Sequence, residues 1–338
     1  MAVRRRVMQR RMEEEARLAA VRINVVGIGG CGNNIVTSLW GKVPERYVKL
    51  IAVNTDAAVL RKSRAHEKVL IGRFSMRGRG AQGVPELGEK AMEEDIEMVF
   101  SAMDDNVDLI IGVAGLGGGT GTGGLPPFFR DCNYKFPNAV KMAVVTLPMT
   151  EEGEERRRNA QFALRELLDV ADVVLVNAND LALERAKIAD ITYAFDLVNR
   201  KILRSIRSII RMQSYEVGPG IINVDFSNFY RICYKSGLGF AGVGRGLDVI
   251  SSLEDALRDD YADTNLTDSK GAIAYFEGRS LDLDVSQVKA ATNALSRRFR
   301  IPTVFVGIRP TWDLPELRVT LFATSVKSRY VENFLAEL

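Results

Sequence analysis

Residues 115–124 read Gly-Leu-Gly-Gly-Gly-Thr-Gly-Thr-Gly-Gly, and no other stretch restricts so narrowly what this chain can fold into. Upstream, Asp108-Leu-Ile-Ile-Gly-Val113 is an apolar run of strand length; downstream, Leu125-Pro126-Pro127-Phe128 places prolines where a helix starts. The run therefore joins a strand to a helix N-terminus. Glycines there take positive φ and let backbone approach a ligand, exposed amides point at anions, and the helix dipole adds roughly half a positive charge. Thr120 and Thr122 add hydroxyl donors. This is the chemistry of a phosphate cradle, and a flexible linker rarely sits between a buried strand and a helix. The run contains no lysine and the chain has no G-x-x-x-x-G-K-[ST], which excludes a Walker-type loop. Phosphate charge is then met by amides and by Mg²⁺ held through phosphates and water.

Length and composition set the frame. With 338 residues, 46% of them hydrophobic, the chain can bury a sizeable core in roughly two domains. A net charge of +3 is too small to argue for nucleic acid. Cys31, Cys132 and Cys233 are scattered and odd in number, which favours a reducing cytoplasm over a disulfide framework and leaves no zinc cluster. The single histidine, His66, stands among Arg64, Glu67 and Lys68 and reads as a solvated loop residue. No apolar stretch reaches membrane-spanning length. The first 22 residues, with Arg4-Arg5-Arg6, Arg10-Arg11 and Glu13-Glu14-Glu15, read as a charged helix, not a signal peptide.

From residue 23 to about 176, strand-like runs at 23–26, 50–53, 109–113, 142–146 and 173–176 alternate with helical ones. That pattern predicts an α/β, Rossmann-like, mostly parallel sheet over 23–190, with ligands beyond the carboxyl ends of its strands. A long central helix over 191–212 and a linker to 220 follow. One stripe of this helix carries Ile191, Phe195, Val198, Ile202, Ile206 and Ile209; the other carries Arg200, Arg204, Arg207 and Arg211. The arginine stripe fits a solvated or locally paired face, and also a surface for an acidic partner. Residues 221–338 read as a smaller α+β domain, with helices at 247–258 and 285–299, strands near 238–243, 272–277, 303–308 and 317–324, and a short closing amphipathic helix.

A second signature, Gly27-Ile28-Gly29-Gly30-Cys31-Gly32, follows the first strand as G-x-G-x-x-G, with Asp56 about where a ribose-binding acid would sit. Alone it fits an NAD-dependent oxidoreductase. The richer run at 115–124 suits a mononucleotide with a full phosphate chain better, and no His or Lys stands out as an acid or base for hydride transfer.

Gly-Gly-Gly-Thr-Gly-Thr-Gly at 117–123, Gly-Gly-Cys-Gly-Asn-Asn at 29–34, Asn-Thr-Asp at 54–56, Thr-Leu-Pro at 146–148 with Glu152-Gly153 and Arg156, and Asn-Val-Asp-Phe at 223–226 occur in that order. In these motifs the chain resembles the tubulin/FtsZ superfamily, nearer to its FtsZ and CetZ branches than to eukaryotic tubulin, from about residue 23 to 325. The resemblance implies GTP or GDP as ligand and GTPase activity. Gly29, Gly30, Cys31, Gly32, Asn33 and Asn34, with Gly117, Gly118, Gly119, Thr120, Gly121, Thr122 and Gly123, would wrap phosphates and sugar. Glu152 would accept from a ribose hydroxyl, and Arg156 would add positive charge; the two also suit an i,i+4 surface pair. Phe195 matches the purine-stacking aromatic, although periodicity serves a core residue as well. Asn199 would meet the base edge, accepting at one atom where an aspartate accepts at two.

By the same resemblance, catalytic residues come from a neighbouring subunit, on a loop following the long helix: Asn223, Asp225 and Asn228. FtsZ carries a second acid where this chain has Asn228, which orients water but accepts no proton from it. The expectation is a head-to-tail filament with slow GTP turnover. A non-hydrolysing scaffold co-assembling with another FtsZ-like protein is the alternative. FtsZ continues past its folded domain to a peptide that docks membrane adaptors; this chain stops at Leu338, so either it is truncated before such a tail or contact with the inner membrane surface or division site would go through other partners, including by way of the arginine-rich first turns. Division and cell-shape roles both stay open.

Overall fold

The structure, a computed structural model, describes residues 20–186, 191–214, 220–312 and 314–336. The charged helix expected over 1–22 lies almost wholly outside the described residues. The first half runs β1 (Ile23–Ile28), α1 (Gly29–Leu39), β2 (Val48–Asn54), α2 (Ala57–Lys62), β3 (Glu67–Leu70), α3 (Pro85–Ser101), β4 (Leu109–Gly115), α4 (Thr120–Lys135), β5 (Val140–Leu147), α5 (Glu154–Val170), β6 (Val173–Ala178) and α6 (Asn179–Ala186). The second runs α7 (Ile191–Met212), α8 (Phe226–Cys233), β7 (Gly237–Gly246), α9 (Val249–Arg258), β8 (Thr264–Asn265), β9 (Gly271–Gly278), α10 (Val285–Phe299), β10 (Val304–Pro310), β11 (Leu317–Thr324), β12 (Lys327–Ser328) and α11 (Arg329–Ala336).

One sheet of ten strands, in the order β10-β9-β11-β7-β6-β5-β4-β1-β2-β3, carries both halves. β3 through β7 run parallel, and β11 alone opposes its neighbours. The near-continuous apolar character of β1, β4, β5 and β6 reflects burial on both faces. Successive side chains sort to opposite faces: Val26 and Ile28 enter the core under α3, α4 and α5, whereas Ile23 and Val25 enter the core under α1, α7 and α8. A third core lies between the C-terminal strands and α9 and α10.

β1 pairs with both β2 and β4, so the winding direction reverses between β1 and β4. A crevice opens at the carboxyl ends of strands at such a reversal. Both glycine-rich segments follow these two strands.

α7 is the long amphipathic helix read from the sequence. Val198, Ile202, Ile206 and Ile209 are buried against the sheet. Three of its four arginines are paired: Arg200 with Asp196, Arg204 with Asp259 at 2.9 Å, and Arg211 with Glu277 at 3.5 Å. Glu277 is fully buried and also takes a two-pronged hydrogen bond from Arg318, at 2.8 Å through each oxygen.

His66 is not the solvated loop residue expected from its charged neighbours. Its amide bonds Leu50 O and its Nδ1 accepts from Leu50 N at 2.8 Å, so the ring is half-buried against Trp40. Pairing beside a sheet edge overrides local polarity.

Candidate functional site

Both glycine signatures are themselves helix starts. α1 opens at Gly29 and α4 at Thr120, inside the runs, and Pro126 and Pro127 lie within α4 instead of at its first turn. The helix begins early because Gly123 N bonds Gly119 O and because α3 sits close: a Cβ on Gly123 would fall 1.8 Å from Pro85 O. Neither N-terminus has a side-chain cap or an acidic residue in its first turn. Two sets of unsatisfied helix amides and two positive dipole ends therefore meet at the sheet's reversal point.

Over the carboxyl ends of β1, β4, β5 and β6 lies an open cavity of about 450 Å³. One wall is Ile28, Gly29, Gly30, Cys31 and Asn34; a second is Gly115, Leu116, Gly118, Gly119, Thr120 and Gly121. Thr146, Pro148, Glu152 and Arg156 close a third side, and Asn179, Phe195, Val198 and Asn199 a fourth. At Gly30 and Gly118 an added Cβ would meet nothing within 4 Å, so these positions border free space.

Five residues expected at the site stand behind its walls. Asn33 is buried, donates to Gly27 O and Val53 O, and accepts from Asn54. Gly32 lets α1 approach β4, where a Cβ would lie 2.2 Å from Val113 O. Thr122 is buried, and its Oγ1 accepts from Gly117 N at 2.9 Å. Gly117 makes the turn with φ +107, and Gly123 packs on α3. Thr120, by contrast, lines the cavity and shares a 2.6 Å hydrogen bond with Thr55.

The electrostatics favour an anion held by backbone. Arg156, the one cation among the lining residues, donates to Glu152 Oε2 at 2.6 Å, while Glu152 Oε1 accepts from Met149 N. Burial pushes the Cys31 thiol up, against a weaker opposing hydrogen bond from Thr146, so the site gains no thiolate. Sequence reasoning missed Asn179. It is buried beside the cavity, and its Oδ1 has no partner. Its place directly after β6 was the available signal. Phe195, left open between core and ligand contact, is half-exposed at the cavity.

Asn223, Asp225 and Asn228 are absent from this cavity. α7, 22 residues and roughly 33 Å long, runs from Phe195 at the cavity to the other end of the sheet. There Ser214 bonds Tyr47, just ahead of β2. After the loop, α8 delivers Lys235 and Ser236 to Asp172, just ahead of β6. Anchored on both sides to the amino ends of parallel strands, the loop sits at the pole opposite the cavity. Asp225 caps α8, accepting from Ser227 N at 2.8 Å, and this bond holds its carboxyl below the ordinary range.

The model of the Tubulin/FtsZ family, GTPase domain, matches residues 22–187, the half of the chain that builds most of this cavity. Cell division protein FtsZ 1 of Pyrococcus horikoshii is 33% identical over 316 residues, 92% of this chain and 82% of that protein. The chain belongs to the tubulin/FtsZ family. The tubulin/FtsZ likeness extends through α7 and the C-terminal strands. The empty FtsZ dimer of Methanocaldococcus jannaschii superposes with a TM-score of 0.83 at 30% identity, over 94% of this chain and 92% of that one. CetZ2 of Haloferax volcanii, a GTPγS-bound protofilament, shares the fold with a TM-score of 0.82 at 24% identity, over 94% and 97%. In this member of the tubulin/FtsZ family, one pole offers a cavity bordered by two uncapped helix N-termini and the other a carboxylate on a short loop.

Proposed function

We propose that this chain binds GTP in the cavity over β1 and β4, stacks head to tail into open filaments, and hydrolyses GTP where a second copy completes the site. The observation that carries this reading is the separation of cavity and Asp225 loop to opposite poles, which only a neighbouring copy in a heterologous, non-closing contact can bring together. The amides opening α1 and α4, with Thr120, hold the phosphates. Glu152 accepts from the ribose and Arg156 lends charge. Phe195 stacks on guanine, while Asn199 and the unpartnered Asn179 Oδ1 meet its polar edge. Mg²⁺ is carried by the phosphates and water.

In the neighbouring copy, Asp225 accepts a proton from the attacking water, and Asn223 and Asn228 orient it. Asn228 cannot take a proton, so turnover is slow and filaments are long-lived. The same asparagine supports a second reading, a non-hydrolysing scaffold that co-assembles with another FtsZ-like protein. The setting we infer is the cytoplasm, in division or cell shape, with membrane contact through adaptors. Negative-stain microscopy with GTP, with GDP and without nucleotide tests the filament; phosphate release measured alongside separates the two readings. Filaments are expected with GTP, and their absence under all three conditions overturns the proposal.

A further inference from the structure

Positive charge is concentrated at one edge of the sheet. Between residues 61 and 79 the chain carries seven cations and one acid, Glu67, so in a total of +3 the remainder is net acidic. Arg61 and Lys62 end α2, Arg64 follows it, Lys68 stands in β3, and Arg73, Arg77 and Arg79 occupy the loop after β3. β3 is the edge strand of the ten. Lys68 Nζ donates to Arg61 O at 3.1 Å, and the Ala57 amide at the start of α2 donates to Gly78 O. These contacts join helix, strand and loop into one surface. All seven cations are exposed, and among the described residues none forms an ion pair, in contrast to Arg200, Arg204 and Arg211 on α7. A lysine on an edge strand guards against unwanted strand pairing, which accounts for Lys68 but not for arginines on α2 and the loop.

The loop also holds an aromatic ring out among these charges. Phe74, between Arg73 and Arg77, is 86% exposed. Its amide donates to Glu94 Oε1 at 2.8 Å, the Arg73 amide donates to Asp95, and Met76 is buried in the core under α3. Phe74 is therefore held in solvent by a pinned loop. The same bonds occupy the carboxylates of α3 nearest the loop, while Glu89 turns toward Arg130 and Glu166 on α4 and α5. The patch stands on the flank, between the poles. α3 starts at Pro85 against the glycine run and ends where Asp104 bonds Asn24 in β1, and Phe74 meets it at Glu94, roughly midway. A neighbouring copy at either pole leaves this flank uncovered.

We propose that this edge binds an anionic lipid surface directly, its cations facing the headgroups and Phe74 entering the interface. Clustered Lys and Arg around an exposed apolar ring have the composition of an interfacial anchor. The surface wraps round β3, from α2 beside α1 to the loop packed on α3, and such a convex ridge meets a flat bilayer without enclosing a folded partner. The contact belongs to the chain itself, beside the adaptors inferred above, and each copy carries it whole.

The test sediments the full chain, with GDP, in the presence of vesicles of phosphatidylserine and phosphatidylcholine. Binding is expected to rise with phosphatidylserine, to vanish with phosphatidylcholine alone, and to fall at least about tenfold as salt rises from about 0.1 M to about 1 M and the screening length shortens from about 10 Å to about 3 Å. Arg73→Glu combined with Arg77→Glu should weaken it at least about tenfold and Phe74→Ser about fivefold, while Phe74→Trp should add fluorescence that shifts to the blue on vesicles. These positions are exposed, and unchanged melting curves confirm that the variants fold. A chain with Arg4, Arg5 and Arg6 changed to Glu should still bind. Loss of binding in that variant but not in the Arg73 and Arg77 variant overturns the proposal, as does Phe74→Trp emission unmoved by vesicles. No sedimentation at any lipid composition, or saturable binding of polyglutamate in its place, also overturns it, the latter in favour of an acidic protein. Light scattering with GTP, without vesicles, reads the filament separately: absent filaments leave the lipid contact standing, and filaments without lipid binding overturn the lipid contact alone.

Discussion

The Thr122 hydroxyl accepts a hydrogen bond from the Gly117 amide at 2.9 Å, closing the glycine run on itself inside the protein. The bond fixes the turn that presents Gly118 and Gly119 to the cavity. Thr122→Val keeps the shape but leaves a buried N–H without acceptor, at about 1–3 kcal/mol. Nucleotide affinity should fall about tenfold, and Thr122→Ser should restore it. A fluorescent-nucleotide titration of both variants decides this; equal loss in both would speak against the hydrogen bond.

Gly118 and Gly123 belong to one run yet should fail differently. A Cβ on Gly118 meets nothing within 4 Å, so Gly118→Ala should fold normally and bind GTP at least about tenfold more weakly by occupying ligand space. A Cβ on Gly123 would lie 1.8 Å from Pro85 O and 2.7 Å from Glu89 N. Gly123→Ala should lose about 3 kcal/mol of stability or more as α3 and α4 are forced apart. Urea denaturation and nucleotide binding, measured on both, read the two effects separately.

Asn228→Asp supplies the acid that this chain lacks, so GTP turnover should rise and filament lifetime shorten, seen as faster phosphate release and earlier decay of light scattering. An unchanged rate would remove the loop from catalysis. Turnover should also tolerate mild acid. The Ser227 amide and hydroxyl favour the charged form of Asp225, so the active carboxylate persists below the usual carboxylate range and is lost only as pH falls through that lowered value.

Asn199→Asp replaces one acceptor with two at the base edge. Preference for GTP over inosine triphosphate, which lacks the exocyclic amino group, should widen roughly fivefold, the effect of about 1 kcal/mol from one further hydrogen bond. Competition titrations with the two nucleotides measure it, and an unchanged ratio would place Asn199 away from the base.

Glu277 is enclosed by Arg318 and Arg211 between α7 and the C-terminal strands. Glu277→Gln leaves two arginines facing a neutral group, and such losses cost about 3–5 kcal/mol. Chemical denaturation should show this, with the nucleotide cavity unaltered in the folded fraction.

Much of this was legible in the chain because its physics is local. Every strand inferred in the first half falls within an observed one, since apolar runs such as 109–113 are buried on both faces. The glycine runs announced strand-to-helix junctions, and the central helix was read over its observed length. What sequence could not reveal depends on contacts distant along the chain. Thr122 and Thr120 look alike in the run, yet one is a buried acceptor and the other borders the cavity. Gly123 answers to Pro85, a contact made only when α3 packs on α4. Asn179 carries no motif and becomes noticeable only as a buried oxygen without a partner, and β3 is a four-residue edge strand too short to show a period.

The measurement that bears most directly on a site shared between copies is complementation. One variant carries Gly118→Ala, which impairs the cavity; the other carries Asp225→Ala, which removes the proton acceptor. Each alone should release phosphate from GTP far more slowly than the unaltered chain. Mixed, they should recover turnover, because an intact cavity on one copy then meets an intact loop on another. A mixture no faster than the sum of its parts, or an Asp225→Ala protein with undiminished turnover, would contradict catalysis between copies.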